Sequence, residues 1–537
     1  MAVGRRFGAL AGVAAAAVAL AAAELVAVAT GPRSAPLVAV GGVVVDTVPE
    51  PVKAFAIEVF GFYDKIALLV GTVLLLAAFA ALVGVAAGRS LRAGYAGIAL
   101  FGVVGVAAAL TRPGATALSA LPALVGAGAA GAALWLLLRD RVIAGTATDT
   151  GTDADADATA GKAAGQAVDG AGQAVGGAGQ AVGGAEGRGR RTVLAMIGGA
   201  AVLGLGARVL STRRDVSAVR AGVVLPAPAS PAPPVPAGAD LRLPRLAPYV
   251  TDNASFYLID TALVVPQVDP RAWRLRVHGR VRRPLELTFA DLLARPMVER
   301  HITLCCVSNE VGGDLIGNAR WLGVPVRDLL DQAEPVDGAD QVVSRSVDGW
   351  TCGTPTAVLR DGRDALLAVG MNGEPLPVAH GFPVRMVTPG LYGYVSACKW
   401  LVELELTTFA EFDAYWVRRG WAQQAAVKTQ SRIDVPRRGA EVASGPTMVA
   451  GVAWAQHRGI IRVEVRVDGG EWQEATLAET VSVDTWRQWH WVWPATPGRH
   501  RLSVRATDGT RQTQTGMLSA PIPDGATGWD TIEVTVA

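Results

Sequence analysis

Only four cysteines stand among 537 residues, at positions 305, 306, 352 and 398. The chain has no Cys-x-x-Cys, no Cys-x-x-Cys-His and no His-Glu-x-x-His. A zinc finger, a c-type haem and a zincin-type protease therefore have no ligand set here. Four irregularly spaced cysteines make no disulfide framework either. Histidine is equally sparse: all six lie in the second half, at His278, His301, His380, His457, His490 and His500. Haem held between two histidines in the first half is excluded. The formal net charge is only +2, so charge gives no reason to expect a nucleic-acid partner. The mean hydropathy of +0.32 is too high for a chain soluble throughout.

The apolar excess is concentrated before residue 215. Phe7–Ala29, Ile66–Gly88, Ala93–Leu110, Ala115–Leu138 and Val193–Leu210 are apolar runs, interrupted only by Glu24 and Arg208. Each is near the roughly 20 residues needed to cross hydrocarbon, so five transmembrane helices are expected. Arg5 and Arg6, Arg89 and Arg92, and Arg139, Arg141, Arg188, Arg190 and Arg191 place the N-terminus, the second short loop and the long linker inside. Five crossings leave everything after residue 215 outside, on the extracytoplasmic face of the cell membrane. Residues 1–141 form the four-helix region and 191–215 the fifth helix.

Residues 142–190 between them are of low complexity, with Gly-Gln-Ala-Val recurring from Gly165, Gly172 and Gly179. Glycine makes helix costly, so a flexible linker is expected rather than a coiled coil. Arg190-Arg191-Thr192-Val193-Leu194 resembles a twin-arginine export signal; the same arginines also serve the positive-inside rule. Residues 216–244 are Pro/Ala-rich and read as a polyproline-like stalk.

Beyond the stalk, short strands and helices interleave over 245–410, an α+β pattern. Over 428–537 short alternating runs such as Ile461–Val467 and His500–Ala506 stand between Asp-Gly turns, the pattern of an antiparallel β-sandwich. In the first of these regions lies His301-Ile-Thr-Leu-Cys-Cys-Val-Ser-Asn309-Glu-Val-Gly-Gly313. A β-run ends in thiols and turns through polar and glycine residues. Sulfur at such a mouth suits thiolate chemistry or a soft metal; buried packing is the other reading.

Taken in order, the motifs resemble the sulfite oxidase family of molybdenum enzymes. Thr303-Leu-Cys-Cys306-Val-Ser-Asn309, Asp348-Gly349, Met371–Pro377, His380-Gly-Phe-Pro-Val-Arg385, Pro389–Gly393 and Lys399-Trp400-Leu401 carry the likeness. Gly451–Trp454 and Val467–Trp472 resemble the family's immunoglobulin-like dimerisation domain. The resemblance covers roughly residues 248–535. It implies an oxidoreductase with a Mo-molybdopterin cofactor, assembled as a homodimer. Cys306 is implied as the catalytic thiolate ligand to the metal, with Cys305 facing away. Asn253, Phe256, Tyr257, Asp348, His380, Arg385, Ala397, Cys398 and Lys399 are implied as cofactor-binding residues. Cys352 and Cys398 stand either as a disulfide or as two thiols.

The family follows its Cys-x-x-Asn with arginine, and here Glu310-Val-Gly-Gly follows Asn309. A carboxylate beside an anion site opposes sulfite, so a small oxyanion, an S-oxide or an N-oxide stays open as substrate. No haem, flavin or iron–sulfur motif is present, which implies a separate electron-transfer protein. A non-catalytic binding or sensory module that kept the fold is the alternative class, against which the retained Cys306, His380 and Arg385 count.

Overall fold

In the computed structural model of the chain, residues 4–31, 34–48, 52, 64–112, 115–146, 191–207 and 216–537 are described. They fall into two compact units, Met1–Arg214 and Asp215–Ala537.

The first unit is helical: α1 (Arg5–Thr30), α2 (Pro36–Thr47), α3 (Asp64–Ala87), α4 (Leu91–Leu110), α5 (Leu121–Thr146) and α6 (Arg191–Ala207). Among the described residues, four stretches are long and apolar enough to cross a membrane: Arg5–Thr30, Ala67–Ala87, Leu91–Leu110 and Ala117–Arg139. The expected fifth span is the shorter apolar α6, and α2 is an additional helix. Its 12 residues are too few to give a crossing signal. Residues 147–190, most of the expected linker, lie outside the described residues, as does Arg190 of the twin-arginine-like motif.

Small residues set how closely these helices pack. A Cβ on Gly12 of α1 would collide with the Ala80 carbonyl oxygen of α3, and one on Gly84 would collide with that of Gly8. Where lipid tails are as apolar as leucine, such backbone contact replaces the hydrophobic drive. On another side of α1, Ala11 and Ala15 join Leu134 and Leu138 of α5 in a buried cluster. Arg112, after α4, pairs with Asp46 of α2 at 2.9 Å, so both sit at one end of the bundle.

The second unit holds four sheets. Strands β1 (Arg274–Gly279), β2 (Leu285–Thr288), β5 (Gln341–Ser346), β6 (Thr351–Pro355) and β10 (Leu401–Thr407) make one, in the order β2-β1-β10-β5-β6. Strands β3 (Val298–Cys305), β4 (Ile316–Pro325), β7 (Leu366–Met371) and β8 (Glu374–Pro375) make the next, with β9 (Arg385–Val387) on β7. β7 is buried along its whole length, which explains its uninterrupted apolar run. Between these sheets and a helix at Val326–Ala333 lies a core that includes Trp273, Leu329, Val369, Met386 and Leu404.

Toward the C-terminus come β11 (Gln430–Val435), β12 (Glu441–Val442), β13 (Gly445–Trp454), β14 (Ile460–Val467), β15 (Gln473–Glu474), β16 (Thr476–Leu477), β17 (Arg487–Ala495), β18 (Gly498–Asp508) and β19 (Asp530–Val536). They form the sheets β11-β13-β17-β16 and β12-β19-β18-β14-β15. Both sheets contribute to one core, with Trp489 and Trp493 from the first and Val463, Val504 and Ile532 from the second.

The two expected regions of this unit share a further core. Tyr249, Cys305 and Tyr392 pack with Val452, Trp454 and Trp486. The Trp486 indole donates to the Tyr249 carbonyl at 2.8 Å, and the Trp486 backbone N–H donates to the Thr303 hydroxyl at 2.8 Å. The Pro/Ala-rich segment is likewise no free stalk, which corrects the reading of 216–244. Ala229 donates to Met297 and Glu299 donates to Ser230, both at 2.8 Å, so the segment is laid along the edge of β3. Further on, Leu241 donates to the Gln488 side chain at 2.7 Å and Ala239 is fully buried. Extended proline-rich backbone keeps its carbonyls free, and the β3 edge uses them.

Replacing Gly12 or Gly84 by leucine is expected to destabilise the α1–α3 contact by about 1–3 kcal/mol through overpacking. A lowered thermal midpoint in detergent checks this; leucine at Gly71, where nothing lies within 4 Å, is the control.

Candidate active site

Strand alternation separates Cys305, the last residue of β3, from Cys306 just after it. Ile302 and Leu304 face a cluster with Phe256, Trp321, Phe382 and Ala397. Cys305 faces the other, with Tyr249, Tyr392 and Trp454. Cys306 follows the last strand residue, and its Sγ lies 2.9 Å from the Ser308 hydroxyl. Burial pushes the Cys306 thiol up, while the Ser308 hydroxyl and the Ser308 and Val307 amides pull it back. For Cys305 burial dominates and the thiol is held well up, with Cys306 adding to it. The loop after Cys306 is closed by Asn309, whose side-chain oxygen accepts from Leu315 N–H at 2.8 Å.

Tyr257 lies within electrostatic reach of Cys306 and of Arg385. Its phenol is raised well above the usual range by burial and then by the two thiols, with Arg385 opposing. A Cβ on Gly393 would meet the Tyr257 hydroxyl at 3.8 Å, the Cys305 carbonyl oxygen at 3.7 Å and the Ala397 Cβ at 3.7 Å. Cys306, Tyr257, Ala397 and Arg385 are thus neighbours close to Gly393.

Arg385 begins β9 and is only 5% exposed. Its guanidinium donates to the His380 carbonyl at 3.2 Å and the Ala397 carbonyl at 3.4 Å, and lies over the Trp321 ring at 5.1 Å. No carboxylate pairs with it among the described residues, and its buried Nε has no hydrogen-bond partner. Burial lowers its pKa to about 10. A buried cation in this condition costs several kcal/mol unless an anion joins it.

His380 is equally buried. Its Nε2–H donates to the Asn253 carbonyl at 2.9 Å, and its ring meets Phe256 edge to face at 5.6 Å. Burial and then the Arg385 charge lower its pKa to about 4, so the imidazole is neutral at neutral pH. The Asn253 side chain instead holds the β7–β8 turn, donating to Glu374 at 2.6 Å and accepting from Asn372 at 2.8 Å.

Lys399, expected among the cofactor-binding residues, lies beside this group. Its ammonium pairs with Asp260 at 2.6 Å and donates to the Ala379 carbonyl at 3.1 Å. Asp260, three residues after Tyr257, gives no signal in the sequence. Trp321, the platform for Arg385, is equally silent, because a buried tryptophan on β4 reads as core. Asp348 accepts from Trp350 N–H at 3.2 Å and lies near enough to raise the Cys398 thiol. Cys398 and Cys352 are free, fully buried thiols. Burial and then Cys352 raise the Cys398 thiol. A separate cavity of about 300 Å³ is lined by Pro233, Pro234, His301, Arg320 and Asn372. Alternation puts His301 and Arg320 on the sheet face away from Trp321 and Arg385, so this cavity does not open on Cys306.

In the folded protein His380 stays neutral, while the unfolded chain protonates near its usual 6.5. Stability is therefore full above about pH 6.5 and is lost as pH falls toward 4, by up to about 3 kcal/mol. Denaturant titrations of cofactor-free protein between pH 7 and 4 check this, and His380→Gln is expected to flatten the dependence.

Known proteins share much of the second unit. A family model of the oxidoreductase molybdopterin binding domain matches residues 262–416. Sulfite oxidase from Gallus gallus is 32% identical over 325 residues, 51% of this chain and 70% of that protein. The uncharacterized oxidoreductase YuiH of Bacillus subtilis is 35% identical over 179 residues, 33% of this chain and 86% of that protein. The chain spans little more than half of the mouse and human mitochondrial sulfite oxidases, 58% and 55% of their lengths. The solved sulfane dehydrogenase SoxCD from Paracoccus pantotrophus aligns with a TM-score of 0.48 at 23% identity, over 54% of this chain and 82% of that one.

Proposed function

We propose, from the premise that this chain belongs to the sulfite oxidase family of molybdopterin-binding oxidoreductases, that it is a membrane-anchored enzyme working on the extracytoplasmic face. It moves one oxygen atom and two electrons between a small substrate and a separate electron-transfer protein. The observation that carries this reading is the pairing of one soft sulfur, Cys306, with the buried, carboxylate-free Arg385 on the same side of the sheet.

That pairing fits Mo-molybdopterin. Among the described residues no group of three or more His, Cys, Asp or Glu stands ready to hold a bare metal. Cys306 is the residue that would give a cofactor-borne metal its protein sulfur. When bound, the cofactor supplies the two-electron oxygen-transfer chemistry. The protein's residues do the rest. The Arg385 Nε and guanidinium edge hold the anionic end of the cofactor by charge-assisted hydrogen bonds. Neutral His380, against which Phe256 packs, and Tyr257, Asp348 and the 397–399 segment are the residues that would hold the pterin. Lys399 acts through Asp260, keeping that segment in place. Ser308 holds the Cys306 sulfur in its orientation, and Asn309 fixes the loop that follows it.

The arginines flanking the apolar helices support a multi-pass anchor with an inside N-terminus. The Asp46–Arg112 pair agrees, because it joins two stretches between spans that this topology puts on the same side. The C-terminal pair of sheets is read as the family's immunoglobulin-like domain and as the homodimer contact.

Molybdenum and pterin content of protein purified from a host that makes the cofactor tests the reading: about one of each per chain is expected. Cys306→Ser is expected to keep pterin and lose activity at least about 1,000-fold, the scale of removing a group from the reacting centre. Arg385→Met is expected to lose the cofactor. A fully active Cys306→Ser protein contradicts the assignment.

A further inference from the structure

The residues after β3 sort themselves into two pairs. Cys305 and Val307 pack into the cluster that holds Tyr249, Tyr392 and Trp454. Cys306 and Ser308 meet each other instead: the Cys306 sulfur and the Ser308 hydroxyl oxygen are 2.9 Å apart. Ser308 is half-buried, and its hydroxyl has no other hydrogen-bond partner among the described residues. A loop serine commonly gives its hydroxyl to neighbouring backbone. This one gives it to sulfur.

The loop holds the two side chains in place. Asn309 N–H donates to the Cys306 carbonyl at 3.1 Å, which closes a four-residue turn with Ser308 at its third position. Cys306 N–H donates to the Leu315 carbonyl at 2.9 Å, and Leu315 N–H donates to the Asn309 side chain at 2.8 Å. Residues 306, 309 and 315 are therefore tied together, and Ser308 sits between two of these anchors.

The direction of the sulfur–hydroxyl bond follows from the chemistry of a ligand. A cysteine that binds a metal does so as thiolate, without its proton. Such a sulfur only accepts, so the Ser308 hydroxyl must donate. The Val307 and Ser308 amides also favour the charged sulfur. Those amides are present whatever the side chains, whereas the hydroxyl depends on which residue stands at 308. Hydrogen bonds to ligand sulfur are one of the means by which a protein tunes a metal centre. Reduction puts more negative charge on the metal and its ligands, and a donor aimed at the sulfur stabilises that state more than the oxidised one.

We infer that Ser308 is a positioning residue that sets the reduction potential of the centre: its hydroxyl donates to the Cys306 sulfur and makes the bound molybdenum easier to reduce. The inference rests on the reading of Cys306 as the metal's protein ligand. Removing the hydroxyl lowers the potential, and supplying it from another side chain restores it.

The test uses full-length holoenzyme in detergent, as wild type, Ser308→Ala and Ser308→Thr. Each is titrated with dithionite and ferricyanide in the presence of redox mediators, and the Mo(V) signal is followed by electron paramagnetic resonance. Only molybdenum-loaded molecules give that signal, so partial loading does not distort the result. Ser308→Ala is expected to make reduction at least about threefold less favourable, about 28 mV for a one-electron step at 59 mV per factor of ten, and to shift the g-values of the signal. Ser308→Thr is expected to keep the wild-type potentials. X-ray absorption of wild type and Cys306→Ser judges the ligand separately, by whether one sulfur neighbour is lost. With that ligand established, potentials in Ser308→Ala that stay unchanged or rise, or a fall as large in Ser308→Thr, overturn the inference.

Discussion

The catalytic unit is organised around a buried positive charge that the protein itself leaves unpaired. Arg385 is stacked on Trp321 and tied to two backbone carbonyls, yet has no carboxylate among the described residues and one orphan nitrogen. Lys399, Arg432 and Arg458, by contrast, each have an aspartate. Removing that compensation at one place is costly, and the cost makes sense if an anion from outside the chain completes the site. Neutral His380 and the raised phenol of Tyr257 follow from the same burial and add no competing charge.

The sheets explain why this charge sits where it does. β9 pairs with β7, and β7 pairs with β4, which carries Trp321 next to β3. Arg385 and the end of β3 are therefore brought to one side of one sheet, although Cys306 and Arg385 lie far apart in sequence. The C-terminal sheets are part of the same construction, because Trp486, Trp454 and Val452 complete the core behind Cys305. Loop 310–313 in turn rests on Asp530 and Arg432. The surroundings of the Cys306 loop thus come from both regions of the second unit.

Some of this is legible in the sequence and some is not. Regular alternation announces β1, β14 and β18, and the apolar runs announce the long helices, because one side chain after another obeys a single environment. The Cys306, His380 and Arg385 motifs are legible through their likeness to a family. The pairing of Lys399 with Asp260 is not, since an ion pair spanning 139 residues leaves no local pattern. The Pro/Ala segment reads as a stalk because its composition specifies an extended backbone and says nothing of the sheet edge it meets. α2 is too short, and the end of the fifth apolar run too irregular, for hydropathy alone to set helix number.

The central claim is that Cys306 gives its sulfur to a cofactor-borne molybdenum anchored by Arg385. X-ray absorption at the molybdenum edge measures it directly on holoenzyme and on the Cys306→Ser variant. The account predicts a molybdenum signal in both, with one sulfur neighbour fewer in the variant. Identical sulfur shells in the two proteins, or holoenzyme without molybdenum, would contradict it.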